Sequence, residues 1–194
     1  MITETNIKES ATIIACDQAT IKAVMEVESS GSGFLDDGTP KILFEPHVFW
    51  KQLKSIGVDP VSLVAKNPVL SDILYPIWGS KPYGKMSTQH ARLKRAVEIN
   101  KDAALKSASW GLFQIMGYNY AATGSCDLQT FINKMYENEA EHLDMFINYI
   151  KNTGLDDELK AQDWAGFAYQ YNGSGYRKNK YDIKLKEAYN KYKV

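Results

Sequence analysis

The stretch from Met25 to Phe34 constrains this chain most, because an apolar helical pattern there runs straight into a turn of small residues. Apolar residues recur at helical spacing before the turn, at Ile21, Val24 and Met25. Glu28 falls on the same face, so we expect it to point toward the core. A carboxyl group at that position is poorly solvated and lies near the negative end of the helix dipole, and both conditions raise its pKa. A carboxylic acid that keeps its proton near neutral pH is what general acid catalysis requires.

The same helix carries a second carboxylate, Glu26. In a regular helix it lies about 160° around the axis from Glu28. We therefore expect Glu26 to face solvent and Glu28 to be the candidate acid.

The composition indicates an ordinary globular chain. Its 194 residues are 44% hydrophobic and 24% charged, which suits a single domain with a substantial core. Lys plus Arg and Asp plus Glu number 23 each, which gives no electrostatic case for nucleic-acid binding. Residues 178–194 are rich in lysine, while 137–144 and 156–163 are acidic. Solvated helix faces explain this polarity better than a nucleic-acid patch, and attraction of the basic tail to an anionic cell surface stays open.

The sequence offers no metal site, cofactor motif or membrane span. Cys16 and Cys126 are too few for a disulfide framework or a zinc site, and we expect two reduced, part-buried thiols. His47, His90 and His142 lack metal-ligand spacing. No apolar run approaches the length of a membrane span, so we expect no stable membrane insertion, and the N-terminus does not have the pattern of a secretory signal.

The pattern along the chain predicts a mainly α (α+β) fold in one domain, residues 1–194. An Asp-Gly turn within residues 33–44 predicts a small β-hairpin. Residues 57–88 are punctuated by proline and glycine, which predicts a loop-rich segment. Helices are predicted over residues 17–28, after Pro46, and over residues 89–103, 110–122, 128–151, 158–171 and 180–192.

Three motifs occur in a fixed order: ESSGSGF at residues 28–34, SWGLFQIM at residues 109–116 and AYQYNG at residues 168–173. This set resembles the lysozyme-like superfamily of goose-type lysozymes and soluble lytic transglycosylases. In that superfamily the corresponding segments wall one sugar-binding cleft. Ser30 departs from the usual Glu-Ser-Gly order, because it adds a serine to the turn after the glutamate.

The resemblance narrows further on VES at residues 27–29, GF at residues 33–34, PKILFEPH at residues 40–47 and SWGLFQI at residues 109–115. Together these segments resemble the N-acetylmuramidase family of bacteriophage endolysins, from about residue 18 to the C-terminus. The resemblance implies a lysozyme-like helical domain with a small β-hairpin beside the active-site cleft. Members of that family often carry a separate peptidoglycan-binding module, for which this chain is too short, so we expect a single catalytic domain without a wall-binding module.

What the resemblance implies chemically is hydrolysis of the β-1,4 bond between N-acetylmuramic acid and N-acetylglucosamine in peptidoglycan. Glu28 matches the catalytic glutamate, which protonates the leaving oxygen. The role of a second carboxylate falls to Glu45. It either positions water or stabilises the cationic transition state, or it is a structural acid paired with His47 or a lysine. Asp36 and Asp37 are weaker candidates, because an Asp-Gly pair usually makes the turn itself.

Substrate contacts are expected from amides and aromatic rings, since sugars present hydroxyls at their edges and C–H faces that stack on rings. The residues that match the family are Gln114, Tyr171 and Asn172, with Tyr118 and Tyr169 as rim candidates. Trp110 either contributes a stacking face or lies in the core.

Two other functions stay open at this stage. A lytic transglycosylase would use the same Glu28 but form an anhydro ring on the muramic acid. A non-catalytic glycan-binding module would keep the fold without cleavage. The endolysin resemblance implies glycan strands as the partner, a monomer, synthesis in the host cytoplasm and action on the cell wall or periplasm after release.

Overall fold

The computed structural model describes residues 1–29 and 31–193, so Ser30, the additional serine of the first motif, lies outside the described residues. The described part is mainly helical, with a small three-stranded antiparallel sheet. Its α-helices are α1 (Glu4–Ile14), α2 (Gln18–Glu28), α3 (Pro46–Ser55), α4 (Pro60–Lys66), α5 (Gln89–Val97), α6 (Lys101–Lys106), α7 (Leu128–Met135), α8 (Glu139–Asn152), α9 (Asp156–Ala161), α10 (Trp164–Asn172) and α11 (Tyr181–Tyr192). The strands are β1 (Ile42–Phe44), β2 (Ala108–Trp110) and β3 (Ile115–Met116), and 3-10 helices cover Pro68–Asp72, Met86–Thr88, Gly117–Thr123 and Tyr176–Asn179.

Helix α2 ends at Glu28, as the apolar pattern predicts. It begins after Asp17, whose side chain accepts a hydrogen bond from the Thr20 backbone N–H and so caps the helix. The preceding helix, α1, is absent from the sequence prediction. A reciprocal capping box between Thr3 and Asn6 starts it, and this signal is independent of the apolar pattern.

The sheet pairs segments that lie far apart in the chain. Strand β1 pairs with β2, with Ile42 opposite Trp110, and β2 pairs with β3. The predicted hairpin over residues 33–44 is confirmed next to its turn, where Phe34 and Pro40 form an antiparallel bridge and the Lys41 N–H donates a 2.8 Å hydrogen bond to the Gly33 carbonyl. Its extension to residues 42–44 is wrong, because these residues pair with β2. The predicted helix over 110–122 is also wrong, because this segment forms the β2–β3 hairpin followed by a 3-10 helix.

Three predicted helices are each divided in two, because local capping ends one helix and starts the next. The long helix predicted over 128–151 breaks at Asn138, whose side chain accepts hydrogen bonds from the first N–H groups of α8. Asn100 caps α6 in the same way, and the left-handed backbone of Gln162 separates α9 from α10. Asparagine competes with the helical backbone for hydrogen bonds and so favours such starts.

The core lies between the sheet and the surrounding helices. Its largest fully buried side chains include Trp110, Phe44, Phe49, Phe131 and Phe146. Helix α11 packs along α2, so the C-terminal helix supports the segment that presents Glu28.

Both cysteines are free thiols; Cys16 is half-buried, whereas Cys126 is exposed rather than part-buried. Within the described residues, no helix combines the length and apolarity needed to cross a bilayer.

Candidate active site

A cavity of about 570 Å³ opens at the C-terminal end of α2. The β2–β3 hairpin, the 3-10 helix that follows it, and helices α8, α10 and α11 form its other walls. We call it the Glu28 cleft, and its lining consists of Val27, Glu28, Ser29, Phe113, Gln114, Ile115, Met116, Tyr118, Asn119, Tyr149, Tyr171, Asn172 and Tyr181. Amides and tyrosine rings around one carboxyl group form a surface that suits a polysaccharide.

The carboxyl group of Glu28 is held inside this cleft. Its Oε1 accepts a hydrogen bond of 2.9 Å from the side-chain amide of Asn172. Burial raises its pKa from 4.5 to about 7, while the Asn172 hydrogen bond and the charge of Lys184 act in the opposite direction. Roughly half of the Glu28 carboxyls therefore carry a proton at pH 7, as a proton donor requires.

Glu26 faces the other way, as predicted. Lys191 Nζ lies 2.7 Å from its Oε2, and the Tyr192 hydroxyl donates a hydrogen bond of 2.6 Å to the same atom. These contacts from α11 lower the pKa of Glu26. Two carboxylates that lie two positions apart in the chain thus have opposite environments, and of the two only Glu28 is suited to donate a proton near neutral pH.

Tyr171 and Asn172, the matched pair of the third motif, both line the cleft. The Tyr171 hydroxyl donates a 3.0 Å hydrogen bond to the Phe113 carbonyl, and its ring stacks on Phe167 with centroids 5.5 Å apart. Burial and the charge of Glu28 raise the pKa of Tyr171 well above its ordinary value. Tyr171 is therefore a neutral, fixed wall of the cleft, while Asn172 contacts the acid itself.

Gln114 lines the cleft, but its side chain is bound within its own hairpin. Its Oε1 accepts a 2.9 Å hydrogen bond from Ser109 Oγ, and its Nε2 donates one of 2.7 Å to the Gly111 carbonyl. The backbone of Gln114 is left-handed, with φ of 51°. The internal hydrogen bonds compensate for that strained backbone conformation and fix the hairpin edge of the cleft.

Several cleft residues are missing from the sequence prediction. Tyr149, Tyr181 and Asn119 line the cavity beside the predicted Tyr118. None of these three belongs to a quoted motif, and Tyr149 sits within the apolar pattern of α8, which by itself indicates core. Asn119 and Tyr181 follow a motif closely in the chain, which is the sequence signal available for these two residues, and Tyr149 lies near no motif.

Two predicted contact residues lie elsewhere. Trp110 is 1% exposed, and its indole N–H donates a 3.1 Å hydrogen bond to the Leu105 carbonyl, so it belongs to the core. Tyr169 is 57% exposed and packs edge-on against Tyr176. It precedes Tyr171 by two residues on α10, which turns its side chain away from the Glu28 cleft.

Glu45 does not line the cavity, and its carboxyl group contacts Tyr83 and His47 instead. Its Oε2 accepts a 3.3 Å hydrogen bond from the Tyr83 hydroxyl and lies 3.4 Å from His47 Nε2. Burial raises the pKa of Glu45, whereas the Tyr83 hydrogen bond lowers it. After burial, the charge of Glu45 is the second cause of the raised pKa of Tyr118, so Glu45 is within electrostatic reach of the cleft.

His142 lies between two turns of the chain, one at Gly33 and the other at Gly111. Its Nδ1 accepts a 3.2 Å hydrogen bond from the Leu112 N–H, so its Nε2 carries the proton and donates to the Met135 carbonyl over 2.9 Å. Burial lowers its pKa and keeps the ring neutral. A Cβ at Gly33 or Gly111 would approach His142 Nδ1 to 2.6 or 2.9 Å. Both turns therefore need glycine at their closest approach to this ring.

The comparisons with known proteins agree with this geometry. The crystal structure of an endolysin from Burkholderia phage AP3 superposes with a TM-score of 0.89 at 36% sequence identity, covering 98% of this chain and 71% of that one. The curated proteins give no match. A sequence profile of the N-acetylmuramidase family matches residues 17–193. The chain therefore belongs to the N-acetylmuramidase family, the glycosidases that hydrolyse peptidoglycan.

Proposed function

We propose that this N-acetylmuramidase uses Glu28 to protonate the leaving oxygen of the β-1,4 bond between N-acetylmuramic acid and N-acetylglucosamine. The observation that supports this role best is the part-buried Glu28 carboxyl in the cleft, with a pKa of about 7 and a hydrogen bond from Asn172. General acid catalysis is most efficient when the pKa of the acid is close to the working pH.

Proton donation starts from those enzyme molecules in which the Glu28 carboxyl carries a proton. As the glycosidic oxygen takes the proton, Glu28 becomes an anion, and the Asn172 amide stabilises that anion. The environment of Glu28 therefore combines two effects. Burial keeps the proton on the acid before the reaction, and the amide stabilises the charge that the transfer creates.

Glu45 is proposed as the second carboxylate. It supplies a negative charge that stabilises the oxocarbenium-like transition state or accepts a proton from water, as in glycosidases with two acids. Tyr83 and His47 hold its Oε2, so its carboxylate has a defined orientation. The effect of its charge on Tyr118, a residue of the cleft, supports this role.

The biological role that we propose is lysis of a bacterial host. The structural similarity to an endolysin of a Burkholderia phage supports this role. We propose that the enzyme is made in the host cytoplasm and reaches the wall after a partner opens the membrane. There it would act as a monomer on glycan strands, with Tyr118, Tyr149 and Tyr181 offering ring faces to successive sugars.

Mass spectrometry of soluble muropeptides released from purified peptidoglycan tests the proposed chemistry, with wild type, Glu28→Gln and the control Glu26→Gln in parallel. We expect reducible muramic-acid ends from wild type and from the Glu26 variant, and none from the Glu28 variant. Anhydro ends, one water lighter, would instead identify a lytic transglycosylase. Binding without any product would leave a glycan-binding module.

A further inference from the structure

We propose that four basic residues beside the Glu28 cleft bind the carboxylates of the stem peptide that the muramic acid carries. These residues are Arg177, Lys178, Lys180 and Lys184, and we call them the cationic rim. The inference rests on the proposed function, because it concerns the substrate of the same cleft.

The rim is a local excess of charge in a chain that is neutral overall. Residues 173–186 contain five basic side chains and one acidic one, Asp182, whereas the whole chain has 23 of each sign. Arg177, Lys178, Lys180 and Lys184 are all exposed. Such a concentration of one sign on an exposed segment attracts anions.

The rim lies directly at the cleft. Asn172 and Tyr181 both line the cavity, and the first three rim residues belong to the short segment between them. Lys184 lies one helical turn after Tyr181, and its Nζ is 5.5 Å from the centroid of the Tyr181 ring. Its charge also reaches Glu28 and lowers the pKa of that acid. A group bound at the Lys184 end of the rim is therefore close to Glu28.

The charges of the rim are available to a ligand. In the part of the chain that the structure describes, no carboxylate oxygen lies within 4.0 Å of a rim nitrogen, whereas Lys191 on the same helix is paired with Glu26 at 2.7 Å. The Arg177 guanidinium rests on Tyr176, and its Nε donates a 3.1 Å hydrogen bond to the Tyr176 hydroxyl. This contact orients Arg177 while leaving its terminal nitrogens for an anion.

The chemistry of the substrate supplies matching anions. In peptidoglycan the stem peptide is attached through the lactyl group of N-acetylmuramic acid, the sugar whose bond is cut, and this peptide bears free carboxylates. N-acetylglucosamine carries no charge. Lysine and arginine side chains at the rim of the cleft therefore match the muramic acid and its peptide.

A membrane surface fits the rim less well. Leu185, Ala188 and Tyr189 of α11 are buried against the rest of the protein, and Ile183, which is 49% exposed, is a single apolar side chain rather than an apolar face. A helix that binds membranes needs a free apolar face in addition to its basic face. The distribution of burial on α11 therefore favours the peptide of the substrate as the ligand.

The test compares two substrates, one with the stem peptide and one from which it has been removed, which leaves a single carboxylate on each lactyl group. Intact peptidoglycan is measured beside the same glycan strands after an amidase has removed the peptides, and kcat/KM is taken from the reducing ends released. The variant is Lys178→Gln with Lys180→Gln, and the matched control is Lys54→Gln with Lys66→Gln, which removes two exposed lysines of α3 and α4. We expect the rim variant to lower the preference for peptide-bearing strands about fivefold, or about 1 kcal/mol. The control should keep the wild-type preference, and high salt should reduce the difference.

The outcomes separate the rim from the catalytic proposal. The wild type could also cleave only the peptide-bearing strands. In that case, a loss of this activity in the rim variant but not in the control supports the inference. An unchanged preference overturns it, and so does an equal loss on both substrates. If the rim variant loses only binding to phosphatidylglycerol vesicles, the ligand is a membrane and the inference is wrong. Failure of Glu28 as the acid would appear as persistent cleavage by Glu28→Gln on either substrate.

Discussion

The Asn172 side-chain amide donates a 2.9 Å hydrogen bond to Glu28 Oε1, and this bond joins the last residue of α10 to the last residue of α2. The two residues are 144 positions apart in the chain. Both helices pack on α11, so the C-terminal helix holds the acid and its partner in register.

Removing the Asn172 amide should shift the pH dependence of kcat to higher pH, an effect that a general loss of structure would not produce. The Asn172 hydrogen bond favours the ionised form of Glu28 and lowers its pKa, so in Asn172→Ala that pKa rises further. We expect the alkaline limb of kcat against pH to shift upward. We also expect kcat to fall about tenfold, because the carboxyl loses its fixed orientation. Asn190→Ala, an exposed change on α11, is the control, and an alkaline limb that stays in place would contradict the assigned role.

The acid should destabilise the fold at alkaline pH. Glu28 has a folded pKa of about 7 against an ordinary 4.5, so the folded state binds the proton more tightly and stability falls as the pH rises from about 4.5 through 7. The full difference corresponds to about 3 kcal/mol as an upper bound. Glu28→Gln stays neutral, so at pH 8 its melting temperature should exceed that of wild type by about 5–10 °C, and at pH 4 the two should nearly coincide.

Glu26→Gln supplies the matched comparison for this thermal measurement. Contacts with Lys191 and Tyr192 lower the pKa of Glu26, so its ionised form stabilises the fold above the ordinary value of 4.5. The Glu26 variant should therefore melt slightly below wild type at pH 8. Equal melting temperatures for wild type and the Glu28 variant at pH 8 would show that Glu28 is not buried as described.

Glu45→Gln tests the second carboxylate. If Glu45 acts on water or stabilises the developing cation, kcat should fall about 10²–10⁴-fold while the thermal transition is retained. Tyr83→Phe removes the hydrogen bond that lowers the pKa of Glu45, together with a 3.5 Å contact to His47 Nδ1. The acidic limb of kcat against pH should therefore move to higher pH in this variant, with a smaller loss of rate. A Glu45 variant that hydrolyses at the full rate would assign Glu45 to structure, through its pairing with His47.

His142 should matter to stability in a pH-dependent way. In His142→Gln the Leu112 N–H and the Met135 carbonyl lose well-placed hydrogen-bond partners. We therefore expect the free energy of unfolding, measured with denaturant at pH 7.5, to fall by about 2 kcal/mol. Burial lowers the pKa of His142, so wild-type stability decreases as the pH falls below the ordinary value of 6.5. The difference in the free energy of unfolding between wild type and His142→Gln should therefore become smaller below pH 6.5. A difference that does not change with pH would contradict a buried, neutral His142.

The environment of the Glu28 carboxyl could be predicted from sequence because it is set locally. The apolar spacing of α2 determines which face is buried, and that spacing separates Glu28 from Glu26 without any knowledge of the fold. Asn172 and Tyr171 were accessible only through the motif resemblance. Nothing in their local pattern indicates that α10 approaches the end of α2.

The errors have a common physical origin in short elements and distant contacts. Strands of two or three residues carry too little periodicity to distinguish β2 and β3 from a helix, and β1 finds its partner only in the folded chain. Trp110 stands in a family motif, yet its indole is satisfied by Leu105 in the core. By contrast, the helix starts at Asn100 and Asn138 follow ordinary capping rules and were predictable.

The measurement that tests the account most directly is a titration of the Glu28 side-chain carboxyl by carbon-13 NMR in the free enzyme. Glu28→Gln assigns the resonance, and Glu26 in the same spectra serves as an internal reference. We predict a midpoint near 7 for Glu28 and one below 4.5 for Glu26. A Glu28 midpoint at or below 4.5 would mean that the carboxyl is ionised at neutral pH, and its role as the proton donor would be contradicted.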